Sequence, residues 1–268
     1  MTSIHDTVPK QRSKYRNALL GKNKASASVK NGQKLASEDR DKNALSLCVV
    51  RLADEFDVEE IDGRLVISTL KANYGLALSS MSRWRDVGLK VRLATATSAM
   101  NKSHQRTVVF SVVFSDRIQQ TLTRKAKQGK GVSAYVNKKL REGLKRSGLS
   151  LDQQVYWFTL EAKHGSDPDC PPYHHYHVHG MIVIPDVWSD GDMEKALKRV
   201  GGSEKHFDNQ VDIRPLTFDE GWLNYVTKQT AEMQRHVNDK CYGMSGACKN
   251  LSQQLYAKLK GHIGNLHL

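Results

Sequence analysis

No apolar run in the 268 residues approaches the ~20 that a membrane-spanning helix needs. The chain is therefore expected to have no membrane partner. The N-terminal residues carry no apolar core of the kind a secretion signal has. Cysteine is sparse and scattered: Cys48, Cys170, Cys241 and Cys248 form no Cys-x-x-Cys pair, and Cys241 and Cys248 stand too far apart for a usual zinc knuckle. Reduced thiols in a cytoplasmic protein are the expectation. A Gly-x-x-x-x-Gly-Lys-Ser/Thr phosphate loop is missing, and no segment repeats another.

Acid is also in short supply. Lysine and arginine number 41 against 28 aspartates and glutamates, a net charge of +13. A chain this basic usually meets a polyanion, most often nucleic acid. Evenly scattered lysines would be the bland explanation, but the charge is clustered. Lys10, Arg12, Lys14, Arg16, Lys22, Lys24, Lys30 and Lys34 follow one another with no acid between them. Arg124 to Arg146 carries nine basic residues against Glu142 alone. Clustering of this kind suits phosphate contacts, each of which releases condensed counterions.

Four regions follow from the pattern. Residues 1–43 are polar and basic and read as a flexible arm. Residues 44–100 begin with helical periodicity (Leu45, Val49, Val50, Leu52, Ala53, Phe56). A second helical stretch ends at Tyr74-Gly75, and a Ser-rich segment with Arg83 and Arg85 follows. That pairing reads either as a helix-turn-helix, with Ser79, Ser80, Arg83 and Arg85 facing DNA, or as a plain hairpin packed on its neighbour. Residues 101–233 alternate: a strand at Thr107–Ser115, a basic amphipathic helix at Gly131–Arg146, strands at Gln154–Lys163 and from Tyr173, a helix to about Val200, a strand at Gln210–Leu216, and a helix from about Asp219 to Met233. Residues 234–268 read as a basic, partly helical extension. The order β-α-β-β-α-β predicts an α+β, ferredoxin-like (split β-α-β) antiparallel sheet, helices on one face and the other open, preceded by a small helical domain.

The chemistry concentrates in Tyr173 to Pro185. In a strand, alternate side chains share a face, so His177 and His179 project together while Val178 points toward a core. Glu161 lies on the preceding strand, across a breaker-rich loop. An antiparallel pairing would bring it beside both imidazoles. One carboxylate and two imidazoles suit a divalent metal, Mg²⁺ or Mn²⁺, with the histidines favouring Mn²⁺ or another transition ion. His175 falls on the same strand face as a further contact or a surface histidine. Downstream, Tyr225 and Lys228 have the i, i+3 spacing that puts them on one helix face. A tyrosine hydroxyl is a poor nucleophile until a neighbouring cation favours its phenolate.

His177-Val178-His179-Gly180, the upstream Glu161 and the later Tyr225-Val-Thr-Lys228, in this order, resemble the HUH endonuclease superfamily. The resemblance covers about Arg106 to Met233. It implies that Glu161, His177 and His179 hold the metal, that Tyr225 attacks single-stranded or origin DNA to leave a 5′-phosphotyrosine, and that Lys228 assists. Gln229 stands where a second tyrosine would be, which places the chain with one-tyrosine nickases. Rolling-circle replication of a plasmid, phage or mobile element is the implied setting, with a separate helicase and polymerase. Lys138, Lys139, Arg141 and Lys145 and the basic arm would hold DNA.

Other readings stay open. The same cut could serve transposition, mobilisation or the nicking of a foreign genome. A water nucleophile would make a hydrolase that forms no adduct. A non-enzymatic module could bind nucleic acid on exposed sheet aromatics such as Tyr156, Trp157 or Tyr173.

Overall fold

The computed structural model describes residues 42–74, 81–103, 106–164, 173–202, 210–215 and 220–265. The arm expected over 1–43 lies almost wholly outside them. Asp41–Leu268 forms one compact unit. The chain is α+β, built on a five-stranded antiparallel sheet in the order β4-β1-β3-β2-β5. The strands are β1 (Thr107–Val113), β2 (Tyr156–His164), β3 (Tyr173–Val183), β4 (Val211–Pro215) and β5 (Tyr242–Met244). The first four give the split β-α-β arrangement expected from their order in the chain.

Period-two alternation sorts each strand's side chains between two cores. Val108, Phe110, Val112, Tyr156, Phe158, Leu160, Val178 and Ile182 face one side, which we call the back. There they meet α4 (Asp116–Lys127), α5 (Val132–Arg146), α6 (Asp190–Gly201) and α8 (Thr230–Val237). These helices bury narrow stripes, such as Ile118, Leu122 and Ala126 in α4. The start of α6 is fixed by a capping box: the Ser189 hydroxyl accepts from the Asp192 amide, and the Asp192 carboxylate accepts from the Ser189 amide.

The front of the sheet is not open, as the sequence led us to expect. Trp157, Met181, Val155 and Val183 project there and are buried. They pack with α1 (residues 42–55), α3 (Leu89–Asn101), α7 (Glu220–Thr227) and α9 (Gly246–Asn265). Helix α2 (Gly63–Tyr74) contributes Val66 to the same core. Tyr256 of α9 ties this layer together: its hydroxyl meets Ser46 Oγ of α1 at 2.9 Å and donates to the Ser82 carbonyl at 3.0 Å. The segments 44–100 and 234–268 thus share one core with the sheet.

Two expected helices differ. Residues 75–80 lie outside the described residues, with Ser79 and Ser80 among them, but a recognition helix does not continue through Arg83. Arg83 has extended backbone, and Arg85 sits in a single 3-10 turn, Trp84–Asp86. The segment is held instead by α9 and α3: Trp84 packs on Tyr256, and Arg92 donates to the carbonyls of Arg85 and Val87. The helix expected from Asp219 to Met233 is two helices, α7 and α8, broken at Lys228 and Gln229. The break has a cause. Leu223 and Val226 belong to the front core, Met233 and Val237 to the back core, so the chain must change layers between them.

Candidate metal and tyrosine site

Register builds the site. Glu161 of β2 lies directly opposite His177 of β3, and Thr159 opposite His179. On the other flank of β3, Ser111 of β1 lies opposite His179, and Asp212 of β4 opposite Ser111. Directly paired residues share a face. A row Asp212–Ser111–His179–Thr159 therefore crosses the front of the sheet, with His177 and Glu161 in the next row. β2 continues past Glu161 to His164 with a bulge between Glu161 and Lys163.

Glu161 Oε2 is 3.7 Å from His177 Nε2 and 3.6 Å from His179 Nε2. The two rings meet edge to face at 4.9 Å. Glu161 and His179 are buried, at 4% and 7% exposure, and His177 is partly buried. One carboxylate oxygen, Oε1, and His179 Nε2 have no hydrogen-bond partner among the described residues. Leaving buried polar atoms unpaired costs roughly 1–3 kcal/mol each. The three ligand atoms lie within 4.8 Å of one another, so the cluster can hold a metal ion.

Ser111 sharpens that assignment. Its Oγ is 2.7 Å from His179 Nδ1. With the Nδ1 proton donated to Ser111, the Nε2 lone pair points toward Glu161 and His177, the usual outer-shell arrangement of a ligating histidine. Burial, with His177 beside it, holds the His179 imidazole down at about 4, against the pull of Glu161. The ring is neutral at physiological pH, as a metal ligand must be. Sequence reading missed Ser111. A serine in the apolar run Val-Val-Phe-Ser-Val-Val was the available signal, but its meaning depends on which strand pairs with β1.

Tyr225 comes to this cluster from α7. Its ring is 5.4 Å from that of His179, and Lys228 Nζ sits over it at 3.7 Å from the centroid. The i, i+3 relation holds although Lys228 lies just past the helix end, its amide donating to the Tyr225 carbonyl. Trp222, one turn earlier and also missed, stacks on Tyr225 at 5.7 Å and 16° and meets His179 edge-on at 5.9 Å. Tyr225 is 42% exposed, so part of the side chain reaches solvent beside the cluster.

The remaining expected residues are spread out. His175 lies on β3, but its side chain is outside the described residues. Arg83 and Arg85 are exposed in the front layer. Beside them Arg92 reaches the Tyr242 hydroxyl on β5 at 3.4 Å. Lys138, Arg141 and Lys145 are exposed on α5 and Lys139 is partly buried there, all in the back layer, on the far side of the sheet from Tyr225. Tyr156 and Trp157 are 1% and 0% exposed, so neither can offer a stacking surface to a nucleic acid. Comparison with protein-family models, curated proteins and solved structures finds no match to this chain.

Proposed function

We propose that the protein is a metal-dependent single-strand DNA nickase and strand-joining enzyme that works through Tyr225. The observation that supports this most is the convergence of three chemistries on one sheet face. A buried carboxylate–imidazole cluster, an exposed tyrosine against its His179, and an ammonium over that tyrosine lie within one or two ring contacts of each other.

Glu161, His177 and His179 would hold Mg²⁺ or Mn²⁺, the imidazoles favouring Mn²⁺. A divalent ion there would polarise a phosphodiester and orient it. Tyr225 Oη attacks phosphorus and its proton passes to solvent. The P–O3′ bond breaks, the 3′ oxygen leaves with the electron pair and takes up a proton. The products are a 5′-phosphotyrosine and a free 3′-hydroxyl, and reversal rejoins a strand. Lys228 offsets charge gathering between phenolate and phosphate. Trp222 fixes the tyrosine ring against His179. The free 3′-hydroxyl suits initiation of rolling-circle replication, with unwinding and synthesis by a separate helicase and polymerase. The buried thiols of Cys48, Cys241 and Cys248 suit a reducing, cytoplasmic setting.

The test is a denaturing gel of the protein with labelled single-stranded oligonucleotides tiling the DNA around its gene, in Mn²⁺ or EDTA. A metal-dependent protein–DNA adduct, reduced at least 10³-fold in Tyr225→Phe, is the expected result. Cleavage without an adduct would instead mean a water nucleophile. Binding without cleavage on every oligonucleotide would mean a binding module.

A further inference from the structure

The sheet separates two kinds of surface. The front offers Trp222 and Tyr225 beside acid and imidazole. The outer surface of α4 and α5 is dominated by cations, of which Lys138 also pairs with Glu142 at 3.7 Å. From Asp116 to Arg146 there are ten basic residues and two acids, Asp116 and Glu142. Arg117, Arg124, Lys127, Lys138, Arg141 and Lys145 are all exposed. The two helices, of 12 and 15 residues, run about 18 and 22 Å at ~1.5 Å per residue. They are held outward-facing by Ile118, Leu122, Val136 and Leu140, which bury against the sheet's back.

Aromatic content decides what such a surface can bind. Tyr135 is the one aromatic residue in these two helices. It is partly buried, and Lys125 and Lys139 place their ammonium groups 5.6 and 5.7 Å from its ring. The aromatics beneath (Phe110, Phe114, Tyr156, Phe158, Tyr176) are each no more than 1% exposed. Single strands are gripped by stacking bases on open aromatic faces. A surface with many cations and no free ring suits contacts to backbone phosphates, which position a duplex, rather than base stacking with a single strand. A duplex also presents the denser line of charge.

We propose that the outer face of α4 and α5 is a second nucleic-acid surface, one that binds the phosphate backbone of duplex DNA, separate from the single-strand site at Tyr225. A full helix diameter, roughly 10–12 Å, stands between this surface and the sheet, so one phosphate cannot serve both. The proposal takes from the nickase reading only the identity of the polyanion, and its test needs no cleavage.

The full-length protein is titrated in EDTA, over a range of salt, with a labelled 20-base-pair duplex and with a 20-nucleotide oligo-dT strand. One triple variant carries Lys138→Gln, Arg141→Gln and Lys145→Gln. A control of equal charge carries Arg64→Gln, Lys249→Gln and Lys258→Gln, exposed residues of α2 and α9 in the front layer. The α5 variant should weaken duplex binding at least tenfold and make its log–log salt slope shallower by about 2–3, at ~0.9 per phosphate contact. Its oligo-dT affinity should change less than threefold, and the control should leave the duplex within threefold. Unchanged duplex affinity overturns the proposal. So does an equal loss for both probes, or an equal loss from the control, since either would mean diffuse electrostatics or one shared surface. Absence of nicking in the gel assay would leave this comparison standing, so the two readings fail separately.

Discussion

The two faces of the sheet are built from the same strands, yet among the described residues only the front buries a carboxylate and an imidazole on them. On the back, the inward residues of β1, β2 and β3 are Phe110, Val112, Phe158, Leu160, Val178 and Ile182. On the front, the same strands place Ser111, Thr159, Glu161, His177 and His179 beside Trp157 and Met181. A buried carboxylate with an unpaired oxygen is a net cost to folding. The back face is filled mainly with hydrocarbon and aromatic rings, whereas the front carries Glu161, His177 and His179, a group that could hold a metal ion.

The strongest way to break that comparison is to neutralise the front cluster. Glu161→Gln keeps the shape and removes the charge. Nicking should fall at least 10³-fold, about 4 kcal/mol in the barrier. The melting temperature of the metal-free protein should hold or rise, because a buried charge is gone. A melting temperature lower by several degrees would make Glu161 a structural residue and dissolve the contrast between the faces.

The back face should respond the other way. Gly180 sits between the strands where a Cβ would collide with the Trp157 carbonyl oxygen and reach the Phe110 ring, 2.7 Å from Cζ. Gly180→Ala has no flexible neighbour to displace. It should destabilise the protein by about 3 kcal/mol, the upper range for overpacking, read by urea denaturation. Loss of activity without loss of stability would tie Gly180 to the neighbouring His179 instead.

Metal supplies the next effect in size. An ion that binds the folded state alone, at a hundred times its dissociation constant, stabilises by about 2.7 kcal/mol. For a unit of this size that is roughly 5–10 °C in melting temperature. Mn²⁺ should produce the rise in the wild type and not in Glu161→Gln or His179→Ala. A rise that survives both substitutions would put the ion elsewhere.

What was legible in the sequence follows from what is local. The His177–His179 pair and the α5 stripe are short-range periodicities, while Glu161 joins the pair through the antiparallel pairing of β2 and β3. Strand order followed from chain order. What failed was long-range or too short to signal. The front was expected open because nothing near β2 announces that α1, α3 and α9 return to cover Trp157. Helix α3 is buried nearly all round, from Leu93 to Met100, so it lacks the one-sided stripe that marks a helix. β5 is three residues long. The break at Lys228 and Gln229 comes from a change of layer, which no window of sequence contains.

The smallest effect lies inside the front helical layer, away from the cluster. Burial raises Asp54 of α1 to about 6 from its usual 3.8, outweighing the Ser98 hydroxyl and the Lys102 ammonium. The folded state therefore holds this proton more tightly than the unfolded chain does. Its contribution to stability is complete below about pH 3.8 and is lost as pH rises through about 6. Asp54→Asn should flatten the melting-temperature profile across that window and add about 1–2 kcal/mol at pH 7, a discounted share of ~1.4 per pKa unit. The metal-induced rise should be the same size in this variant. If Asp54→Asn removed that rise, the polar cluster and the helical layer beside it would be one coupled device, and the line drawn between cost and use on the front face would have to move outward to α1.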